Sequence, residues 1–143
     1  MMEAMPPVPE PAVTENQIVA LVDAFYAKVR RDEVLAPVFE RAIAPDSWPV
    51  HLSKMYDFWS SVMLTTGRYK GNPLGVHMRV AGLESSMFTR WLALFRATAE
   101  ELFPPALAAS FHEKSERIAE SLQLGLFYRP GQGGLNIFRR SPS

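Results

Sequence analysis

Apolar residues recur every three or four positions through most of this chain, in stretches that proline and glycine interrupt. This spacing places the apolar side chains on one face of an α-helix, whereas a half-buried β-strand requires strict alternation. The 143 residues contain no alternating stretch, internal repeat or sign of a second domain. The sequence therefore predicts an all-α fold in which one set of helices buries its apolar faces together.

The predicted helices begin at recognisable signals. Thr14 and Gln17 form a capping-box pattern, and Pro49 lies in the first turn of a helix that Asp46 or Ser47 is placed to cap. The expected elements are 14–32, a short helix over 35–41, 47–66 with Gly67 as its stop, one and a half turns within 71–80, 84–103, and a last helix that follows Pro104–Pro105. Their inner faces are expected to include Met87, Trp91, Leu94 and Leu102, and then Leu107, Phe111, Ile118 and Leu122.

Both ends of the chain lack this pattern. Prolines at positions 6, 7, 9 and 11 cannot sustain a helix, so residues 1–13 are predicted to be a disordered arm. The folded domain is predicted over 14–127 and a flexible tail over 128–143, and little structure is expected from Gly125 onward.

Charge and composition exclude several classes of function. Lys plus Arg number 15 and Asp plus Glu number 15, so the chain lacks the basic face that nucleic acid or an anionic membrane would need. The absence of cysteine excludes disulfides, thiolate metal sites and cysteine nucleophiles. No apolar run approaches the roughly 20 residues of a membrane span, and the start of the chain does not resemble a secretory signal. We expect a cytoplasmic protein with neither nucleic-acid nor membrane partners.

Two of the three histidines are candidates to flank a common ligand. His77 ends the irregular segment 68–77, and a broken segment can approach a flat cofactor more closely than a long helix. His51 lies in the first turns of a helix about 30 Å long, after which the chain turns back toward His77. The simpler alternative is that His77 is a capped or partly buried structural histidine.

Other metal-site interpretations are weaker. His112 lies beside charged residues on the outer side of its helix, so we expect it to be exposed to solvent. Zinc is a poor candidate, because two histidines without an acidic or thiol partner at ligand spacing do not complete its usual coordination.

Tyr26 and Trp91 fall on the inner faces of their helices. A buried phenol or indole usually needs a hydrogen-bond partner, and with His51 these residues offer three donors in an apolar space. An apolar cavity with a few convergent polar groups is typical of a cofactor pocket. Alternatively, both side chains bond to backbone carbonyls and only fill the core. The residues expected to line this space are Phe25, Phe39, Met55, Phe58, Val62 and Met87.

Several motifs occur together in one order: Phe25-Tyr26, Ala36-Pro37-Val38-Phe39, His51 with Tyr56-Asp57-Phe58-Trp59, Tyr69-Lys70-Gly71-Asn72-Pro73, His77 and Trp91. In order and spacing they resemble the third group of the truncated haemoglobins, over about residues 14–127. The resemblance implies a truncated globin fold, a two-over-two helical sandwich, around haem b (iron protoporphyrin IX).

The same resemblance implies a role for each matching residue. His77 would be the proximal ligand to the haem iron, and Tyr26, His51 and Trp91 would form the polar set on the distal side. Phe39 would pack against the porphyrin, with Met55 and Phe58 lining the pocket. Partners for the haem propionates are expected among Arg68, Tyr69, Lys70 and Arg79.

The implied function is to bind oxygen at ferrous iron with high affinity and slow release, because a hydroxyl or indole N–H stabilises the charge that oxygen acquires there. Nitric oxide, carbon monoxide, cyanide and sulfide are further expected ligands. The alternative is a haem redox enzyme, either a nitric oxide dioxygenase or a peroxidase, which would need a separate reductase. A helical interaction module without a cofactor is a third hypothesis.

Overall fold

The computed structural model describes residues 13–127, and this part of the chain contains helices and turns without a strand. Its elements are α1 Glu15–Val29, α2 Leu35–Ala42, a 3-10 turn Pro45–Ser47, α3 Trp48–Leu64, α4 Pro73–Met78, α5 Ser85–Leu102 and α6 Pro105–Phe127. The predicted all-α class is confirmed. The predicted arm and tail lie outside the described residues, except for Val13, which is buried against the core.

The first two helices follow from local hydrogen bonds. The Gln17 N–H donates to the Thr14 hydroxyl (3.1 Å) and the Thr14 N–H donates to the Gln17 side chain (2.9 Å), as the capping box predicts. The α1 helix ends at Val29, not near Asp32. The Asp32 carboxylate instead accepts the N–H groups of residues 34 and 35 (3.0 and 2.9 Å), so it opens α2.

Two details of α3 differ from expectation. Ser47 occupies the N-cap position, but its side chain makes no capping hydrogen bond. The helix ends at Leu64 with Thr65 in the left-handed conformation (φ 53°), not at Gly67. A β-branched residue is unfavourable in that conformation, so the contacts around the following segment must hold it there.

The core is organised around Phe95, a fully buried residue of α5. Its ring stacks on Trp59 of α3 (centroids 4.9 Å apart) and lies edge-on to Phe25 of α1 (5.2 Å). Phe111 of α6 approaches the same ring at 6.4 Å. Since α1 also packs along α3, and α5 along α6, this cluster joins two pairs of helices.

The predicted inner face of α5 was partly wrong. Its buried residues include Phe88, Phe95 and Ala99, whereas Leu102 is 42% exposed. The side of this helix that becomes buried is decided by the neighbouring helices, which a single helix's periodicity does not report.

The expectation of little structure from Gly125 onward was also wrong at its start, because Gly125 lies inside α6.

An ion pair between helices fixes the corner after α1. Asp32, whose side chain is only 9% exposed, accepts from the Nε–H of Arg90 on α5 at 2.7 Å. This guanidinium lowers the pKa of the Asp32 carboxyl, with help from the backbone donors of α2. The pair therefore ties α1, α2 and α5 together at one end.

None of the helices within residues 13–127 is both long and apolar enough to cross a membrane.

Candidate functional site

Three of the predicted site residues meet where α1, α2 and α3 come together. The ring of Tyr26 lies edge-on to His51, with centroids 4.9 Å apart, and to Phe39 at 5.8 Å. Tyr26 is 6% exposed, while His51 and Phe39 are partly buried. The structure thus brings the phenol, one imidazole and the phenyl ring into a single cluster.

Trp48 belongs to this cluster, and the sequence analysis missed it. Its buried ring lies 5.3 Å from His51, 6.0 Å from Tyr26 and, in a stacked orientation, 6.4 Å from Phe39. The guanidinium of Arg30 covers its face at 4.2 Å from the centroid, a favourable cation–π contact. Trp48 and His51 are three residues apart on α3 and so share one face, which was a usable sequence signal.

Burial controls the protonation of the two polar groups in this cluster. It raises the pKa of the Tyr26 hydroxyl, so this group remains a donor at all working pH values. It lowers the pKa of His51 to about 4, with a smaller contribution from the positive charge of Lys54. The Nε2 atom of His51 is buried and has no hydrogen-bond partner among the described residues. Such an orphaned polar atom needs an explanation, and a ligand is one.

Trp91 lies beside this cluster. Its indole stacks on Phe95 with ring planes only 2° apart, and Phe25 lies edge-on to it at 5.2 Å. Phe25 also contacts the Tyr26 ring at 4.9 Å, so it connects the indole to the phenol. Neither the Trp91 N–H nor the Tyr26 hydroxyl takes part in a hydrogen bond described for residues 13–127. The alternative that both bond to backbone carbonyls therefore finds no support in this part of the chain.

The remaining predicted lining residues lie further along α3. Met55 and Phe58 are both partly buried and pack against the core. Phe58 meets Tyr69 edge-on at 5.2 Å, and burial raises the pKa of that phenol. Of the candidate propionate partners, Arg68 already lies 3.2 Å from Glu15.

His77 lies on α4, which Asn72 caps by accepting the N–H of Gly75 at 3.1 Å. Its Nδ1 is 2.7 Å from the carbonyl oxygen of Pro73, and since a carbonyl only accepts, Nδ1 carries the proton. This partner lies one turn earlier on the same helix, within the irregular segment 68–77. The bond leaves the lone pair on Nε2, the arrangement that a metal-binding imidazole requires.

A network of hydrogen bonds around the buried Ser60 hydroxyl holds the segment that leads to α4. The fully buried Ser60 hydroxyl donates to Glu15 (2.9 Å) and lies 2.8 Å from the hydroxyl of Thr66. The N–H of Tyr69 donates to Ser61 at 2.9 Å. These bonds tie the end of α3 and its connector to the start of α1, which explains how the left-handed residue 65 is tolerated.

No ring contact described for residues 13–127 joins His77 to the cluster around Tyr26. Its ring neighbour is Phe88 of α5, with centroids 6.2 Å apart. No local pattern predicts this partner, because it comes from a different helix.

His112 corrects one expectation. It is not freely exposed: its side chain is 25% exposed, its Nε2 lies 3.3 Å from the Glu116 carboxylate, and its Nδ1 is buried. The apolar surface of Phe103 and Ala108 beside it was not apparent from the charged sequence around it.

The residues present fit a planar iron cofactor. An imidazole with a protonated Nδ1 and a free Nε2 comes from α4, and an orphaned imidazole nitrogen with a protonated phenol comes from α1 and α3. Partly buried apolar side chains, including Phe39, accompany them.

Comparison with known proteins gives one consistent result. No family model matches the chain. The group 3 truncated hemoglobin ctb of Campylobacter jejuni is 29% identical over 121 residues, which cover 83% of this chain and 94% of that protein. The crystal structure of group III truncated hemoglobin from Campylobacter jejuni superimposes with a TM-score of 0.78 at 28% identity, covering 90% of this chain and all of that one.

The low pKa of His51 predicts that the stability of the ligand-free protein depends on pH. The unfolded chain binds a proton near the ordinary value of 6.5, but the folded protein does so only near 4, so the free energy of unfolding falls as the pH drops between these values. Between pH 7 and pH 5 we expect the ligand-free protein to lose about 1–2 kcal/mol from this residue. Urea unfolding at the two pH values measures the loss.

Two variants isolate the cause. His51→Gln should show a smaller loss, because a neutral amide does not titrate. Lys54→Gln should nearly keep the wild-type loss, since burial is the larger cause. An equal loss in wild type and His51→Gln would contradict the assignment.

Proposed function

We propose that this chain, which resembles the third group of the truncated haemoglobins in sequence and in fold, is a haem globin that binds oxygen tightly at ferrous haem b and releases it slowly. The observation that carries the proposal is the pairing of a protonated, buried phenol with an unpartnered imidazole nitrogen. Both lie among aromatic side chains, and a hydrogen bond to a polar ligand is stronger in apolar surroundings.

His77 would hold the haem from the proximal side. Its Nδ1–H bond to Pro73 fixes the tautomer and increases the basicity of Nε2. When bound, the haem would supply an iron that binds a small ligand, and Tyr26 would donate a hydrogen bond to that ligand. Phe39, Met55 and Phe58 would contact the porphyrin, and Lys70 and Arg79, both exposed, are candidates to pair with its propionates.

The distal residues would set the rate of release. The Tyr26 hydroxyl is a donor at every working pH, and Trp91 adds an indole N–H held by its stack on Phe95. Each bond to a partly charged ligand contributes about 1–3 kcal/mol in such a site. Carbon monoxide and other weakly polar ligands gain less, so the site discriminates in favour of oxygen.

Replacement of the proximal histidine tests the cofactor itself. Wild-type protein incubated with hemin should develop a Soret band, and after reduction it should show a five-coordinate histidine-ligated spectrum. His77→Ala should lose or greatly weaken haem binding, because the proximal bond is missing. His112→Ala is the matched control and should bind haem like wild type. Absence of a Soret band in the wild type would refute the proposal, and wild-type spectra in His77→Ala would refute the ligand assignment.

Replacement of the distal phenol tests the mechanism of slow release. Tyr26→Phe removes the hydroxyl and keeps the ring contacts, so we expect oxygen dissociation to accelerate about tenfold or more. Tyr56→Phe is the matched control, since that hydroxyl bonds to Asp23 at 2.5 Å outside the cluster. Carbon monoxide dissociation should change less. An unchanged oxygen off-rate in stopped flow would remove Tyr26 from the donor set.

A second candidate function, a haem redox enzyme, has support from His51. A neutral, buried imidazole beside a phenol donor is suited to accept a proton from hydrogen peroxide. Repeated consumption of peroxide or nitric oxide in the presence of a reductant, slowed about 100-fold by His51→Leu, would favour this enzyme. One reaction per haem without turnover would favour the binding protein.

A further inference from the structure

The helix that carries His77 is too short to position itself. It has six residues, and a helix of that length is unstable without tertiary contacts. The helix on which it packs is α6. The contact between α4 and α6 is therefore one determinant of where the imidazole lies.

That contact is closest at Gly125. A Cβ atom on this glycine would lie 2.8 Å from one terminal methyl of Leu74, 2.9 Å from the other and 3.4 Å from its Cγ. Non-bonded carbon atoms prefer separations of about 3.5–4.0 Å. The distance to Cγ is an ordinary van der Waals contact, so the conflict is confined to the two methyl groups, and Leu74 would have to change its side-chain torsions or its position to relieve it. The torsion nearest the backbone has few allowed values in a helix. Leu74 therefore rests in a notch that glycine leaves open.

The same end of α6 is linked to His77 by a second route. Phe127, two residues after the notch, lies edge-on to Phe88 at 6.1 Å, and Phe88 lies 6.2 Å from the His77 ring. Leu74 and His77 are three residues apart and share one side of α4. The end of α6 thus supports α4 directly at Leu74 and, through Phe88, at the imidazole.

We propose that Gly125 is a positioning residue for the axial histidine: its missing side chain lets Leu74 seat against α6, and this seat sets the depth and tilt at which His77 meets iron. The inference rests on the proposed function, in which His77 binds haem. The Pro73 carbonyl sets the rotation of the ring within α4, whereas Gly125 sets the position of α4 itself.

The test uses the haem-loaded ferrous protein. Gly125→Ala should push Leu74 and α4 away, which shifts and broadens the iron–histidine stretching band in resonance Raman spectra. Transfer of haem to an excess of apomyoglobin should accelerate roughly fivefold. Alanine favours a helix more than glycine does, so the urea midpoint should not fall in proportion. A loosened ligand in an otherwise stable protein distinguishes positioning from general destabilisation.

A double variant tests whether the contact between Leu74 and residue 125 is responsible. Adding Leu74→Ala to Gly125→Ala removes the clash, so the double variant should recover much of the wild-type band and haem-transfer rate. Ser121→Ala, one turn earlier at an exposed position of α6, is the matched control and should change neither. An unmoved band in Gly125→Ala, or a double variant no closer to wild type than Gly125→Ala, would overturn the inference. Absence of an iron–histidine band in the wild type would instead overturn the proposed function.

Discussion

The whole arrangement depends on the burial of Phe95 among aromatic rings from the other long helices. Removing such a ring from a core costs about 3–5 kcal/mol, more than the roughly 0.5–1.5 kcal/mol that a typical hydrogen bond contributes. Because Trp59 and Phe111 touch the same ring, the crossing of the two helix pairs is fixed by shape. Trp91 lies parallel to Phe95 as part of this core. One of the proposed donors is therefore oriented by the packing that stabilises the fold.

The two sides of the proposed pocket are held in different ways. On the side of Tyr26, rings from three helices contact one another, and the guanidinium of Arg30 packs over the ring of Trp48. On the side of His77, a short helix is capped by Asn72 and supported by α6. The first side therefore depends on several mutual contacts. The second depends on the contact between α4 and α6, so a change in that contact would move the imidazole together with its helix.

Local patterns predicted most of the helices and the residues proposed for the site. Capping signals and prolines act within a few residues, so they are readable from the chain alone. The misjudged face of Leu102, the missed ring of Trp48 and the role of Gly125 all depend on contacts between helices distant in sequence. Periodicity shows that a helix has an apolar face, but its exact direction depends on the partner. The resemblance supplied the role proposed for His77, which composition and spacing alone left open.

The support of α4 by α6 also bears on how the protein is made. Residue 77 leaves the ribosome before residue 125, so α4 emerges before the end of α6, on which it packs. Until then the ligand-bearing segment is a short peptide with little preferred structure. If His77 binds haem as proposed, stable binding therefore requires the completed α6, on which α4 packs.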